Sequence, residues 1–128
     1  SPAWNLKASS AVLREEAKQA DLAAPTMDFF KLKKIVSSAR SRTGLVQTDT
    51  HDVILSSSVV LEAYEDRSVL KTEKLIYSSK TNLFTTDADV VMTRPEGVLK
   101  GRGFEAKPDL SELRIFNQQS VIHKGNIQ

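Results

Sequence analysis

Cysteine is absent from this chain, which removes disulfide frameworks, thiolate nucleophiles and Cys-based zinc sites. Histidine is scarce, and His51 and His123 stand in unrelated contexts, neither with a partner at metal-ligand spacing. Aromatic residues make up only 6% of the 128 positions, so an apolar lining would be mainly aliphatic. Neither sign of charge dominates: 18 basic side chains stand against 16 acidic ones, a formal net charge of +2. The two signs are interspersed rather than gathered into the basic stripe of a nucleic-acid binder, so no nucleic-acid partner is expected. A pI near 8.9 still allows scattered contacts with anionic lipid headgroups. No apolar run approaches the roughly 18–20 residues of a membrane-spanning helix. The sequence opens Ser1-Pro2 without a methionine, and an upstream segment is expected to have preceded it.

What is present is globular in character. A hydrophobic fraction of 40% and a charged fraction of 27% fit a folded domain, and the length fits one domain over residues 1–128. Beyond residue 43 the pattern is one of short strands, at 53–55, 58–61, 69–77, 83–86, 90–93, 98–106, 113–116 and 121–123. Turn-forming clusters separate them, including Ser78–Asn82, Arg94-Pro95-Glu96-Gly97 and Lys107-Pro108-Asp109. The segment Val69–Tyr77 is echoed by Val98–Ala106, each leading through a turn into another strand. Such self-similarity points to stacked hairpins that cannot bury their apolar faces alone. One stretch reads two ways. Residues 10–24 are rich in helix formers, and a helix from Ser10 to Pro25 fits propensity. The β alternative places Arg14–Lys18 in a turn between extended segments 6–13 and 19–30, after which Met27, Phe29, Leu32 and Ile35 continue an extended run.

No catalytic constellation emerges, and the chain is not expected to be an enzyme. The His51 stretch Thr48-Asp49-Thr50-His51-Asp52 pairs an imidazole with carboxylates, yet its composition is that of a solvated turn. Ser56-Ser57-Ser58 lacks a Gly-x-Ser-x-Gly frame. Gly101-Arg102-Gly103 lacks the third glycine and following helix of a nucleotide loop; glycine within a strand marks a bulge or close backbone approach. Asp87-Ala88-Asp89 is too sparse for a calcium cage. No metal and no cofactor are expected.

Attention therefore falls on a surface. Strict alternation puts Leu70 and Thr72 on one face of their strand and Leu75 and Tyr77 on the other. The same holds for Leu99 and Gly101 against Phe104 and Ala106. A bulge within Glu73–Lys74, and another within Arg102–Gly103, would bring each set to a single side. Two outcomes remain open: an ordinary sandwich core, or sheets splayed around a cleft able to hold an acyl chain.

Three segments resemble a known family. They are Leu70-Lys71-Thr72-Glu73-Lys74-Leu75-Ile76-Tyr77, the run from Phe84 to Pro95, and Leu99-Lys100-Gly101-Arg102-Gly103-Phe104-Glu105-Ala106. With Trp4-Asn5-Leu6-Lys7-Ala8 and residues 24–30, they are similar to the LptC family of lipopolysaccharide transport proteins, whose LptA relatives share much of the pattern. The resemblance covers nearly the whole chain and implies an all-β, open V-shaped β-jellyroll of antiparallel strands. It implies a non-enzymatic lipid carrier in the periplasm, tethered to the inner membrane by an N-terminal helix outside these residues. Lipopolysaccharide would arrive from an inner-membrane ABC transporter of the LptB/LptF/LptG type and leave for an LptA-like bridge protein. The lipid A acyl chains would lie in a groove of Leu70, Thr72, Leu75, Tyr77, Leu99, Gly101 and Phe104. Partner jellyrolls would add strands at Trp4, Leu6 and Ala8 and at Val121, Ile122 and His123. The alternative is a β-sandwich adaptor that links envelope proteins through its edges and binds no lipid.

Overall fold

Local turn chemistry divides the chain into strands alone among the residues described. The structure is a computed structural model that describes residues 3–118 and 120–123, the last four by their backbone. The strands are β1 (Ala3–Lys7), β2 (Ser10–Arg14), β3 (Gln19–Ala23), β4 (Thr26–Lys31), β5 (Lys34–Arg40) and β6 (Thr43–Gln47). Then follow β7 (Val53–Ala63), β8 (Ser68–Ser78), β9 (Leu83–Arg94), β10 (Gly97–Ala106), β11 (Leu113–Ile115) and β12 (Ser120–His123). Every pairing is antiparallel.

The helix favoured by propensity over residues 10–24 does not form. Instead β2 and β3 make a hairpin, Ser10 opposite Ala23 and Arg14 opposite Gln19. Lys18 at φ 53° closes the turn by donating its N–H to the Glu15 carbonyl. Pairing of β3 with β6 supplies a second ladder, and such tertiary partners outweigh a propensity worth tenths of a kcal/mol per residue. The extended segments are also shorter than their composition implied. A break at Ala8–Ser9 separates β1 from β2, and Ala24, at φ 49° before Pro25, separates β3 from β4. Leu32 lies in the β4–β5 turn rather than in a strand.

The long strands β7 to β10 form a meander, and β7 serves two arms. Its first half, Val53 to Ser56, pairs with β6, which leads to β3 and β2. Its second half, Val60 to Ala63, pairs with β5, which leads to β4 and β1. The opposite side divides likewise, with β11 on Phe104–Ala106 and β12 on Gly97–Lys100 of β10. Between the halves each ladder slips: between Ser56 and Val59, between Thr72 and Ile76, and between Arg102 and Phe104. The latter two fall where bulges are expected, at Glu73–Lys74 and Arg102–Gly103, but in both ladders the extra residue lies on β9: residues 86–89 stand opposite 73–75, and Asp87 and Ala88 opposite Gly103. Ser57 and Ser58, at φ 67° and 54°, and Gly103, at φ 94°, supply the left-handed residues of this fold line.

The sheet thus folds over on itself, and the two halves of each long strand enter opposite layers. Phe29, on the β5 arm, meets Tyr77 and Phe84 of the other half at centroid distances of 5.2 and 5.4 Å. The result is an all-β, antiparallel jellyroll left open along β1, β2, β11 and β12, each paired on one side only among the described residues.

Candidate functional site

The interior between the layers is apolar and continuous. It joins Met27 and Ala39 from one arm to Leu55, Leu75 and Met92 of the long strands. Four of the interior's aromatic side chains collect at one place. Trp4 lies 5.6 Å from Tyr77, and Phe29, Tyr77 and Phe84 stand within 5.2–5.4 Å of one another, mostly tilted or edge-on. Each such pair adds about 0.5–1.5 kcal/mol beyond its area burial. Tyr77 also donates its hydroxyl to Asn82 Oδ1 at 2.7 Å. Burial pushes the Tyr77 phenol pKa up, and the Asp52 charge adds to the rise.

The seven expected groove residues have three different placements. Leu70, Leu75, Tyr77 and Phe104 point inward together, at 2% exposure or less, and are packed into the core. Leu99 is partly buried against them. Thr72 and Gly101 belong to the fold line. The Thr72 hydroxyl donates to the Asp89 carbonyl at 2.8 Å, tying β8 to β9 where their ladder slips. A Cβ on Gly101 would stand 2.5 Å from Ile115 Cγ2 and from the Phe116 carbonyl oxygen, so the space beside it is already occupied. Gly101 is a close-approach residue, and a β-branched side chain there would push the β11–β12 connection away. Leu70, Leu75, Tyr77 and Phe104 line no open trough in this conformation, because their own neighbours fill it, while Thr72 lines a separate pocket of about 450 Å³ beside Val59, Lys71 and Asp89.

One open space lies at the end of the interior. A pocket of about 750 Å³ is walled by Phe29, Phe30, Val36 and Pro108, with Asn82 and Ala3 at its sides. Phe29 gives it an aromatic floor continuous with the core cluster. Lys31, Lys33, Lys107 and Asp109 line it as well, so an apolar cavity carries a mainly basic set of charges. Such a volume falls within the ~300–1,000 Å³ of small-molecule sites.

The loop after β10 forms one wall. Leu110, at φ 61°, tucks into the core, its N–H donating to the Lys107 carbonyl. Lys107 Nζ meets Glu112 Oε2 at 2.7 Å, and the bond from Glu112 raises the Lys107 pKa. Burial pushes the Asp109 carboxyl up, but hydrogen bonds from Ser111 and the charge of Lys31 outweigh it and leave the pKa low. Lys31 and Asp109 thus face each other electrostatically from the β4–β5 hairpin and the 107–112 loop.

The sequence reading missed this pocket. Its traces were there, in Phe29-Phe30-Lys31-Leu32-Lys33-Lys34-Ile35-Val36, where apolar and basic residues alternate irregularly, and in Lys107-Pro108-Asp109, taken as a plain turn.

Among the described residues β1 and β12 are each paired on one side only. Trp4 and Leu6 turn their side chains inward against the core. Ala8 is exposed and follows β1 rather than belonging to it. Val121, Ile122 and His123 form β12, opposite Leu99, Val98 and Gly97; their side chains lie outside the described residues. His51 sits in a turn at φ 63°, its carbonyl accepting from Ser79 Oγ. Among the described residues no group of three or more His, Asp or Glu side chains is placed to hold a metal.

A family model described as lipopolysaccharide-assembly, LptC-related, matches residues 1–123. The chain belongs to the LptC family. No curated protein sequence matches it. Among solved structures it is similar to that of LptH, the LptA-homologous periplasmic component of the lipopolysaccharide transport device of Pseudomonas aeruginosa. The TM-score is 0.65 at 12% identity, covering 90% of this chain and 82% of the other, a likeness of fold. For this LptC-family chain the general role is therefore lipopolysaccharide transport, on the jellyroll that the family resemblance implied.

Proposed function

We propose that this chain is a periplasmic lipid carrier in lipopolysaccharide export, and that acyl chains engage it first at the pocket floored by Phe29. The pocket itself carries the reading: an apolar cavity of about 750 Å³ that meets the aromatic core at one end of the jellyroll and bears lysines around its walls. Burial of each CH₂ contributes about 0.8 kcal/mol, so a fatty tail binds there without a specific hydrogen bond. Lys31, Lys33 and Lys107 suit the anionic groups that accompany the tails. Deeper entry requires the layers to part, with Leu75, Tyr77 and Phe104 exchanging contacts with one another for contacts with lipid. The lipid arrives from an inner-membrane ABC transporter and leaves toward an LptA-like bridge. The open backbones of β1 and β12 supply the strand additions that align successive jellyrolls. An inner-membrane tether upstream of Ser1 belongs to the same proposal.

A photo-crosslinking residue at Phe30 or Val36 is expected to capture lipopolysaccharide in cells, and one at Leu75 or Phe104 to do so when the layers part. Capture at the first pair alone would confine the lipid to the pocket. Capture at none of the four, beside a working positive control, would remove the carrier reading. The adaptor reading would then stand, because the tight burial of Leu70, Leu75, Tyr77 and Phe104 is what a closed sandwich requires.

A further inference from the structure

The β4–β5 turn is unusual for its residues. Leu32 and Lys33 occupy its two central positions at φ 51° and 66°. Two-residue hairpin turns with positive φ at both positions favour Asn-Gly, because a Cβ is strained there. Leu32 is also the most exposed of the large apolar side chains among the described residues, at 92%, and Ile35 beside it is 45% exposed. Neither property helps the chain fold. Around this tip stand Lys31, Lys33 and Lys34, all exposed. The acidic groups on the facing loop are already engaged: Asp109 feels the charge of Lys31, and Glu112 is bonded to Lys107. Lys33 and Lys34 make no ion pair among the described residues.

We infer that this hairpin tip docks on an anionic lipid surface, with Leu32 entering the interface and Lys31, Lys33 and Lys34 meeting lipid phosphates. A protein partner fits less well. Specific protein interfaces span roughly 800 Å² per side and are depleted in lysine, whereas this tip is small, convex and lysine-rich. An anionic bilayer matches both features: it takes up a single aliphatic side chain, and each lysine near it strengthens binding about fivefold. Leu32, Lys31 and Lys33 also line the pocket, so a docked tip would place the pocket mouth beside the membrane surface. The inference concerns where the chain sits and holds whether or not lipid enters its interior.

The test is co-sedimentation with vesicles of phosphatidylcholine mixed with phosphatidylglycerol, and with phosphatidylcholine alone. The chain is expected to bind the anionic vesicles only, less tightly as salt rises. Substituting Lys33→Gln and Lys34→Gln together should weaken binding roughly 25-fold. Leu32→Asn keeps every charge and suits the positive φ. It should raise the midpoint of urea unfolding while weakening vesicle binding, a pairing that no loss of fold can produce. Failure of the parent chain to bind anionic vesicles would overturn the inference and leave the tip to a protein contact. So would a Leu32→Asn variant that binds as tightly as the parent. Lipopolysaccharide capture at Phe30, measured on the same variants, reports lipid carriage separately.

Discussion

Two turns border the same pocket, and they solve the same backbone problem in opposite ways. Between β8 and β9 the left-handed position goes to Asn82, at φ 58°, a residue type that tolerates it. Its N–H donates to the Ser78 carbonyl and its Oδ1 accepts from the Tyr77 hydroxyl, so the turn is bolted to the aromatic core. Between β4 and β5 the left-handed positions go to Leu32 and Lys33, which gain nothing there and reach into water. The first turn is built for folding. The second keeps a strained, exposed leucine against the interest of stability, which is the pattern expected where a binding contact sets the residue.

The contrast can be broken from beneath the Asn82 turn. Phe84→Ala removes a fully buried ring that touches Phe29 and Tyr77, and is expected to cost about 3–5 kcal/mol by urea unfolding. A loss below ~1 kcal/mol would mean that the aromatic cluster is not a packed support. Asn82→Ala strains the turn and leaves the Tyr77 hydroxyl without its acceptor, for an expected loss of about 1–3 kcal/mol. Leu32→Asn should move the other way, gaining up to about 1 kcal/mol, and equal losses at both turns would erase the distinction.

The smallest effect belongs to the electrostatics across the pocket. The folded pKa of Asp109 lies below its ordinary value of 3.8. Its contribution to stability is therefore complete above that value and lost as pH falls through the folded pKa. Ser111→Ala should move the Asp109 titration, followed by NMR, part of the way back toward 3.8, since the Ser111 hydroxyl bond is the leading cause that lowers it and the backbone N–H bond remains. An unchanged titration would assign the shift to the backbone N–H of residue 111 and to Lys31 instead.

Much of the framework was legible because it is local. Turn clusters and β-branched runs mark most strands, and asking both apolar sets of one strand to face the same side locates the irregularities near residues 73–74 and 102–103, though it does not reveal that the extra residue lies on β9. The strands at 53–55 and 58–61 merge into β7 because Ser57 and Ser58 kink a strand without ending it. Residues 10–24 read two ways because helix propensity competes there with a β hairpin, and nothing nearby reveals that β6 waits to pair with β3. The pocket was hidden for a related reason. Ala3, Phe29, Asn82 and Pro108 come together only when the sheet folds over, and no periodicity within one strand encodes a meeting of four separate elements. Thr72 and Gly101 sit at the fold line, which their alternation along the strand does not mark.

The branching of the sheet at β7 and again at β10 has a mechanical corollary. Each side of the jellyroll ends in a pair of open strands, β1 with β2 and β11 with β12, rather than in one. A neighbour that engaged both members of a pair would be sewn on by two seams and unable to swivel, whereas one that engaged a single member would hang as if from a hinge. The split therefore gives the molecule a choice between a stiff joint and a pliant one without altering a residue of its centre.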